Sequence, residues 1–597
     1  MYNPNSENNS IVKIETFLQG GRIESLDKVN ISIFRNVSME FFEPFIRYAS
    51  ALNGLNCVVR FGNYDSIVQD SLAKNSDVIT NKTDAVLVFT PIVSLSPMLE
   101  NLFSTLDEIK ICEEIKRIER LFFTVCKGIR QQTNATILWA GLEPRVFANN
   151  GIMDSQNKNG QNGTIRKLND ILREVLKSFD SAFFVDLEAC LMRVGANSFY
   201  QPRDWERIRS PYSKDGLCEI AREISKYIAS IKGRTKKCLV LDCDNTLWGG
   251  IIGEDGLSGI ALGSTYPGSA FLEFQKEILS LHSRGVILAI CSKNNISDVE
   301  EVFRDHPAMI LKMEHITSWE VNWDNKATNI MRIAKKVNIG LDSILFLDDS
   351  RFETELVKEK LPDVQTILLP KDKPFEYRWI LSALGVFDNP VATNEDKLRT
   401  KFYSQDKLRK EELSDNMDLD GYCLSLETEL TIGIVTEKTL PRISQQTQKT
   451  NQFNLTTYRY SEADISDLVS KPASDIYWIS AKDKFGDMGI IGTCILRYKG
   501  RSALIDTFLL SCRGLGRKIE DKFLEEICYL ANKKGMKTVV GEYIPTKKNQ
   551  QVKTFYERNG FIKNKEVAEN IFSYEFQLKN IKGRSLGVFK AINFSFP

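Results

Sequence analysis

The chain has 597 residues, too many for a single core, and roughly two to four domains are expected. Hydrophobic residues at 42% and charged residues at 26% describe an ordinary globular composition; Lys plus Arg at 79 against Asp plus Glu at 78 leaves no bulk field for nucleic acid or an anionic membrane. The twelve cysteines are scattered without a CxxC pair, MYNPNSENNS lacks a basic and apolar leader pattern, and no apolar run would cross a bilayer, so a reduced cytoplasmic setting is expected. Residues before about 23 are polar and read as a mobile lead. From Val29 strands and helical segments alternate: VNISIF, EFFEPFIRYASALNG, CVVRFG, DAVLVFT, a helical stretch around residues 104–132, ATILWAG and AFFVDLE. That alternation predicts a doubly wound parallel sheet covered on both faces, complete over about residues 24–230. The Gly/Asn-rich stretch NNGIMDSQNKNGQNG, residues 149–163, reads as an exposed excursion.

This first region resembles an SGNH-type esterase fold, with Ser38 where a nucleophile would follow the first strand. A serine nucleophile needs a base, most often histidine. All three histidines, His282, His306 and His315, lie in the central region, and FYQPRDWERIRSPYS offers only Asp204 where the base would stand. Ser38 is therefore read as structural and the domain as a docking or substrate-positioning module.

IKGRTKK, residues 231–237, is a basic linker into a central domain ending near residue 370. The apolar run Cys238 to Leu241 has the character of a buried parallel strand and ends in Asp242, Cys243, Asp244, Asn245 and Thr246. Residues two apart on an extended chain point to one side, so the Asp242 and Asp244 carboxylates are expected to converge, with Cys243 facing away. Such a pair needs a cation or a shared proton; the alternative is a solvated turn that caps the next helix. VILAIC ends in Ser292, ILFL in Asp348 and Asp349, and between them Lys326 opens the amphipathic helix KATNIMRIAKKVNIG. A lysine in a helix's first turn is misplaced unless anions hold it, because the helix N-terminus is already positive.

Asp-x-Asp-x-Thr, then Ser, Lys and Asp-Asp, each following an apolar strand or opening a helix, resembles the ordered motif set of the haloacid dehalogenase superfamily of phosphotransferases. LDCDNTLWGGIIGEDGLSGI, CSKNN, DDSRFE, RISQQTQKTNQFNLTTYRY and KFGDMGIIG resemble more narrowly the FkbH-like proteins of subfamily IIIC, over most of the chain. That resemblance implies a degenerate SGNH-like domain at 24–230, a Rossmann-like capless phosphatase-type domain at 231–370, and an acetyltransferase-like (GNAT) domain at 423–597. By the same resemblance Asp242 is the nucleophile and Asp244 the acid and base; Mg2+ is held by Asp242, Asp348 and the backbone carbonyl of Asp244, with Asp349 as an optional further ligand; Ser292, Lys326 and Thr246 bind phosphate. It further implies removal of phosphate from an acyl phosphate of glycerate, a small phosphorylated metabolite, and loading of the acyl group onto an acyl carrier protein thiol. The stretches from Thr246 to the helix SAFLEFQKEILSLHSRG and from Ser292 to Lys326 are too short for a cap, which needs on the order of fifty residues, so the site is expected to be open. Cys243 and Cys291 read as small buried residues; direct attack by the carrier thiol needs neither. A plain phosphatase and a non-catalytic scaffold remain as alternative readings.

Residues 371–422 read as a helical connector, with 394–414 a solvated, charge-paired helix. Beyond it LTIGIVT, IYWISAKD, GIIGTCILRYKG, SALIDTFLLSCR, a helix from Lys518 to Lys533, TVVGEYI and VKTFYERNGFI form an α+β pattern. FYERNGF and CRGLGRK resemble the GNAT signature and its pyrophosphate loop, where successive backbone N–H groups hold a diphosphate. Arg513, Gly514 and Gly516 fit that loop, but Lys518 stands where Gly or Ala is usual. CoA or pantetheine binding and a purely structural role both stay open.

Overall fold

The computed structural model describes residues 11–20, 23–73, 77–391, 405, 409, 418–546, 548–564, 570–581 and 585–596. The expected connecting helix at 394–414 lies almost wholly outside them. The chain folds as the α/β multidomain protein its patterning predicts, in three sheets.

The first sheet comprises β1 (Asp27–Arg35), β2 (Leu55–Tyr64), β3 (Ala85–Phe89), β4 (Thr136–Ala140) and β5 (Ala182–Val185), all parallel, in the order β2-β1-β3-β4-β5. Alternation along the strands divides its core in two. Val29, Ile31, Ile33 and Leu87 pack under the helices Glu43–Leu52 and Lys214–Ile231; Phe34, Val86, Val88 and Trp139 pack under Glu108–Gln132 and Gln161–Lys177. The lead, read as mobile, holds a helix at Ile11–Gln19 that buries Ile14 and sets Phe17 edge-on to Tyr48. The loop at 149–163 is exposed at its tip yet firmly tied. Buried Asp154 accepts from the backbone N–H of Gln161 and Asn162, and the Gln161 amide donates to the Leu99 and Glu100 carbonyls.

The second sheet comprises β6 (Cys238–Leu241), β7 (Ile287–Ser292), β8 (Ile316–Val321), β9 (Ile344–Asp348) and β10 (Gln365–Leu368), again all parallel, in the order β10-β9-β6-β7-β8. Leu239, Leu241, Leu288 and Leu347 face the helices Gly268–Ser283 and Ile296–Asp305; Cys238, Val240, Ala289 and Phe346 face Lys326–Val337 and Arg351–Lys360. The helix Tyr377–Leu384 buries Tyr377, Ile380 and Leu381 in the first of these cores, so residues near 377–387 complete the central domain instead of connecting it to the next.

The third sheet is mixed and eight-stranded. Its strands are β11 (Glu429–Ile434), β12 (Ser474–Asp483), β13 (Gly486–Lys499), β14 (Ser502–Leu510), β15 (Thr538–Tyr543), β16 (Ile562–Lys563), β17 (Phe572–Gln577) and β18 (Ala591–Ser595), ordered β16-β17-β15-β14-β13-β12-β11-β18. β14 and β15 pair only over residues 502–505 and 538–541, then diverge. Residues 453–456 fill the gap: Leu455 N–H donates to the Phe508 carbonyl at 3.1 Å, and Ile544 N–H to the Leu455 carbonyl at 2.9 Å.

The three sheets meet at a hub built on the entry ends of the two parallel ones. Lys232 pairs with Asp84 at 2.7 Å and Arg234 with Asp27; Glu462 N–H donates to Ser181 Oγ at 3.1 Å; Lys237 Nζ donates to the Lys449 carbonyl at 3.2 Å. Gly233 is required there, because a Cβ would lie 2.1 Å from the Gln448 carbonyl oxygen and its φ is +64°. Both parallel sheets consequently turn their carboxyl ends away from the hub, and those ends are where α/β folds place their sites.

Candidate active site

Four strand or helix ends of the central domain converge at the carboxyl edge of its sheet. Asp242 follows β6 and Ser292 ends β7; Asp348 ends β9 with Asp349 next; Lys326 opens the helix Lys326–Val337. Ser292 Oγ donates to Asp242 Oδ1 at 2.6 Å. Lys326 Nζ lies 2.9 Å from Asp242 Oδ1 and 2.6 Å from Asp348 Oδ2, and all three side chains are buried. Burial works against the lysine's charge, but the Asp242 and Asp348 carboxylates outweigh it and raise its pKa. The misplaced cation of the sequence is thus clamped between two anions, which offset the unfavourable helix end.

Carboxylate oxygens of Asp242, Asp348 and Asp349 lie within 4.8 Å of one another. Burial, with the Asp242 charge added, raises the Asp348 pKa and lifts Asp349 to about 6. Three acids against one lysine leave negative charge uncompensated, and hard oxygen donors at this spacing suit a small divalent cation. The group therefore fits a metal ion. The Asp244 carboxylate does not join it, so the expected convergence with Asp242 is not what forms. Asp244 Oδ1 accepts from Trp248 Nε1 at 2.9 Å and from Ile252 N–H at 3.1 Å, and Oδ2 accepts from Asn294 Nδ2 at 3.0 Å. Burial raises its pKa against these three donors. Only its backbone carbonyl is left as the contribution to an ion that the sequence reading gave it.

Trp248 is fully buried and holds Asp244 through its indole N–H. Asn294, which also donates to Ser292 Oγ at 3.2 Å, was quoted in CSKNN without a role; its place two residues after Ser292 was the available signal. Thr246 is buried, and its hydroxyl has no hydrogen-bond partner among the described residues. Its backbone N–H closes a turn onto the Cys243 carbonyl at 3.1 Å. Cys243 and Cys291 are buried in the cores on opposite faces of the sheet, and burial raises both thiols well above their ordinary range.

Ser38 Oγ donates to the Ile208 carbonyl at 2.5 Å, a backbone acceptor and not a base. In the third domain Gly514 N–H closes a turn onto the Ser511 carbonyl at 2.9 Å, Gly516 has φ +76°, and Lys518 pairs with Asp420. Arg513 lines a cavity of about 310 Å³ shared with Lys237, Asp342, Arg442 and Lys548. Lys237 and Asp342 stand at the entry ends of β6 and β9, so this cavity and the acids lie at opposite ends of the central sheet, roughly 17 Å apart along the strands.

No known family model matches the chain, and no curated protein matches it. Among solved structures the chain is similar to the N-terminal part of a Bacteroides fragilis protein containing a phosphatase domain, complexed with Mg. Identity is 27% and the TM-score 0.57, with 64% of this chain and 99% of that one covered. Spermidine N-acetyltransferase from Vibrio cholerae, in complex with CoA and spermine, matches at 14% identity and a TM-score of 0.21, over 26% of this chain and 97% of its own. A putative GNAT-family acetyltransferase from Desulfovibrio desulfuricans matches at 11% and 0.21, over 25% of this chain and 99% of its own. Likeness at that level carries nothing about activity.

Proposed function

We propose that the protein is a magnesium-dependent enzyme of the haloacid dehalogenase type that removes phosphate through an aspartyl phosphate on Asp242. The observation that carries this reading is the clamp of Asp242, Ser292, Lys326 and Asp348, all within 2.9 Å contacts at the carboxyl edge of one parallel sheet. The Mg-bound phosphatase domain of the similar structure supports the choice of ion. When bound, Mg2+ would supply positive charge to the transferring phosphoryl group, held by Asp242, Asp348 and Asp349 and by the Asp244 carbonyl.

The chain's own groups divide the remaining work. An Asp242 carboxylate oxygen forms the bond to phosphorus as the bond to the leaving oxygen breaks. Asp244, kept protonatable by burial, gives that oxygen a proton and then accepts one from the attacking water, releasing inorganic phosphate and restoring Asp242. Ser292 and Lys326 hold phosphoryl oxygens and balance charge.

The resemblance to FkbH-like proteins supports a finer reading, in which the substrate is an acyl phosphate of glycerate that also carries an ester phosphate. Asp242 takes the ester phosphate, and in the cytoplasm an acyl carrier protein thiolate attacks the acyl carbon, forming the thioester as the bond to the acyl phosphate oxygen breaks and inorganic phosphate leaves. The placement of Arg513 at the opposite end of the central sheet favours attack by the carrier at the mouth of the Asp242 site over handover to the third domain. The test is phosphate release with magnesium and glyceryl bisphosphate, with and without a phosphopantetheinylated carrier. Release that depends on the carrier, with the carrier gaining a glyceryl group, supports the transferase; release indifferent to the carrier leaves a phosphatase; loss of turnover in Asp242→Asn separates both from a scaffold.

A further inference from the structure

At the carboxyl end of the first sheet, distant from the hub, lies a cavity of about 850 Å³ that the proposed chemistry does not use. Ile92 follows β3, Glu143 and Arg145 follow β4, and Tyr200, Trp205 and Tyr212 come from the segment after β5. Its walls are aromatic and aliphatic: the Tyr200 and Tyr212 rings stack 6.3 Å apart at 22°, and Phe147 is 85% exposed at the mouth.

Its lining includes two buried carboxyls, Glu143 and Glu100, beside the amides of Asn101 and Asn197 and the tyrosine hydroxyls. Glu143 is 9% exposed and Glu100 7%, and Glu143 Oε1 and Glu100 Oε2 have no hydrogen-bond partner among the described residues. The two cations of the lining already have carboxylates. Arg145 pairs with Glu100, although its Nε is unpartnered, and Arg209 pairs with Glu206 at 3.6 Å and lies over the Trp205 ring at 5.1 Å. Glu143 is left as the carboxyl of the cavity with no cation beside it among the described residues. Burial pushes its pKa up to about 7 against the Tyr212 hydroxyl that bonds to it.

We propose that this cavity binds a small organic ammonium ion, its N–H groups donating to Glu143 and its carbon body packed on Tyr200 and Trp205. An anion would meet unpartnered carboxyl oxygens, whereas an ammonium supplies the missing charge and donors and gains from the aromatic faces. Ser38 does not line the cavity, and the domain has no histidine, so the site binds without hydrolysing.

The test uses the full-length chain with benzylamine as probe and benzyl alcohol as its neutral counterpart, both followed by saturation-transfer NMR. Benzylamine is expected to bind at least about tenfold more tightly than the alcohol; Glu143→Gln should remove that difference, and Trp205→Ala should weaken both. Equal binding of amine and alcohol to the wild type overturns the proposal without recourse to any variant. So does amine binding unchanged by both substitutions, or absence of amine binding at millimolar concentration.

Discussion

The first and second sheets are both five-stranded and wholly parallel, both are covered on two faces, and both turn their entry ends to the same hub. They differ in what their strands carry at the carboxyl edge. In the central sheet Asp242, Ser292 and Asp348 stand at the ends of three adjacent strands; the two acids close on Lys326 and Ser292 donates to Asp242. In the first sheet Ser38 gives its hydroxyl to a backbone carbonyl, and the buried acids Glu143 and Glu100 border an aromatic cavity. One scaffold thus holds a reaction centre in one case and a binding cavity in the other, and the residues after each strand decide which.

The comparison breaks most readily at Asp242. Asp242→Asn should lower phosphate release more than about a thousandfold while leaving the far-UV circular dichroism unchanged, since the nucleophile is lost and the shape kept. Turnover within tenfold of wild type would place the chemistry elsewhere.

Lys326→Met probes the clamp through stability. Removing one partner leaves buried Asp242 and Asp348 facing each other, and urea unfolding near neutral pH should show a loss of roughly 3–5 kcal/mol. Part should return on acidification, because protons then neutralise the abandoned carboxylates.

Glu143 sharpens the contrast in the first sheet. Its pKa rises from 4.5 to about 7 through burial, with the Glu100 charge adding to the rise and the Tyr212 hydroxyl opposing it. Below the unfolded value both states hold the proton. Between the two values the folded state retains a proton that the unfolded chain has released, so stability falls as pH rises through that window, by roughly 3 kcal/mol in all. Glu143→Gln should flatten that part of the urea midpoint's pH profile. Ser38→Ala should do least: about 1 kcal/mol from the lost hydrogen bond, and no change in phosphate release.

Much of this was legible because the signals are local. A run such as CLVL closed by an acid marks a buried strand and its end, and the apolar runs before Ser292, Asp348 and Asp349 read as strands in the same way. Alternation also marked Cys243 and Cys291 as small buried residues, and the structure buries them in the cores on opposite faces of the sheet. What escaped depends on distant pairings that leave no period in the chain. Trp248 and Asn294 were visible as residues, but their grip on Asp244 needs the loops after β6 and β7 brought together. The stretch at 453–456, FNLT, alternates apolar and polar but is too short to read as a strand by itself, and its partners are the diverging ends of β14 and β15. β18 is a short edge strand that only β11 completes, and the helix Tyr377–Leu384 looked like a connector until its apolar face met the central core. Glu143 sits in an otherwise unmarked GLEPR, and the Tyr212 hydroxyl that bonds to it comes from a distant part of the chain.

The central claim is a covalent phosphoryl group on Asp242. The direct measurement is acid quench during turnover of acetyl phosphate with magnesium, followed by borohydride reduction and peptide mass spectrometry. Recovery of position 242 as homoserine, absent without the substrate, is the result the account predicts. Label on Ser292, or an unmodified position 242 while turnover proceeds, would contradict it.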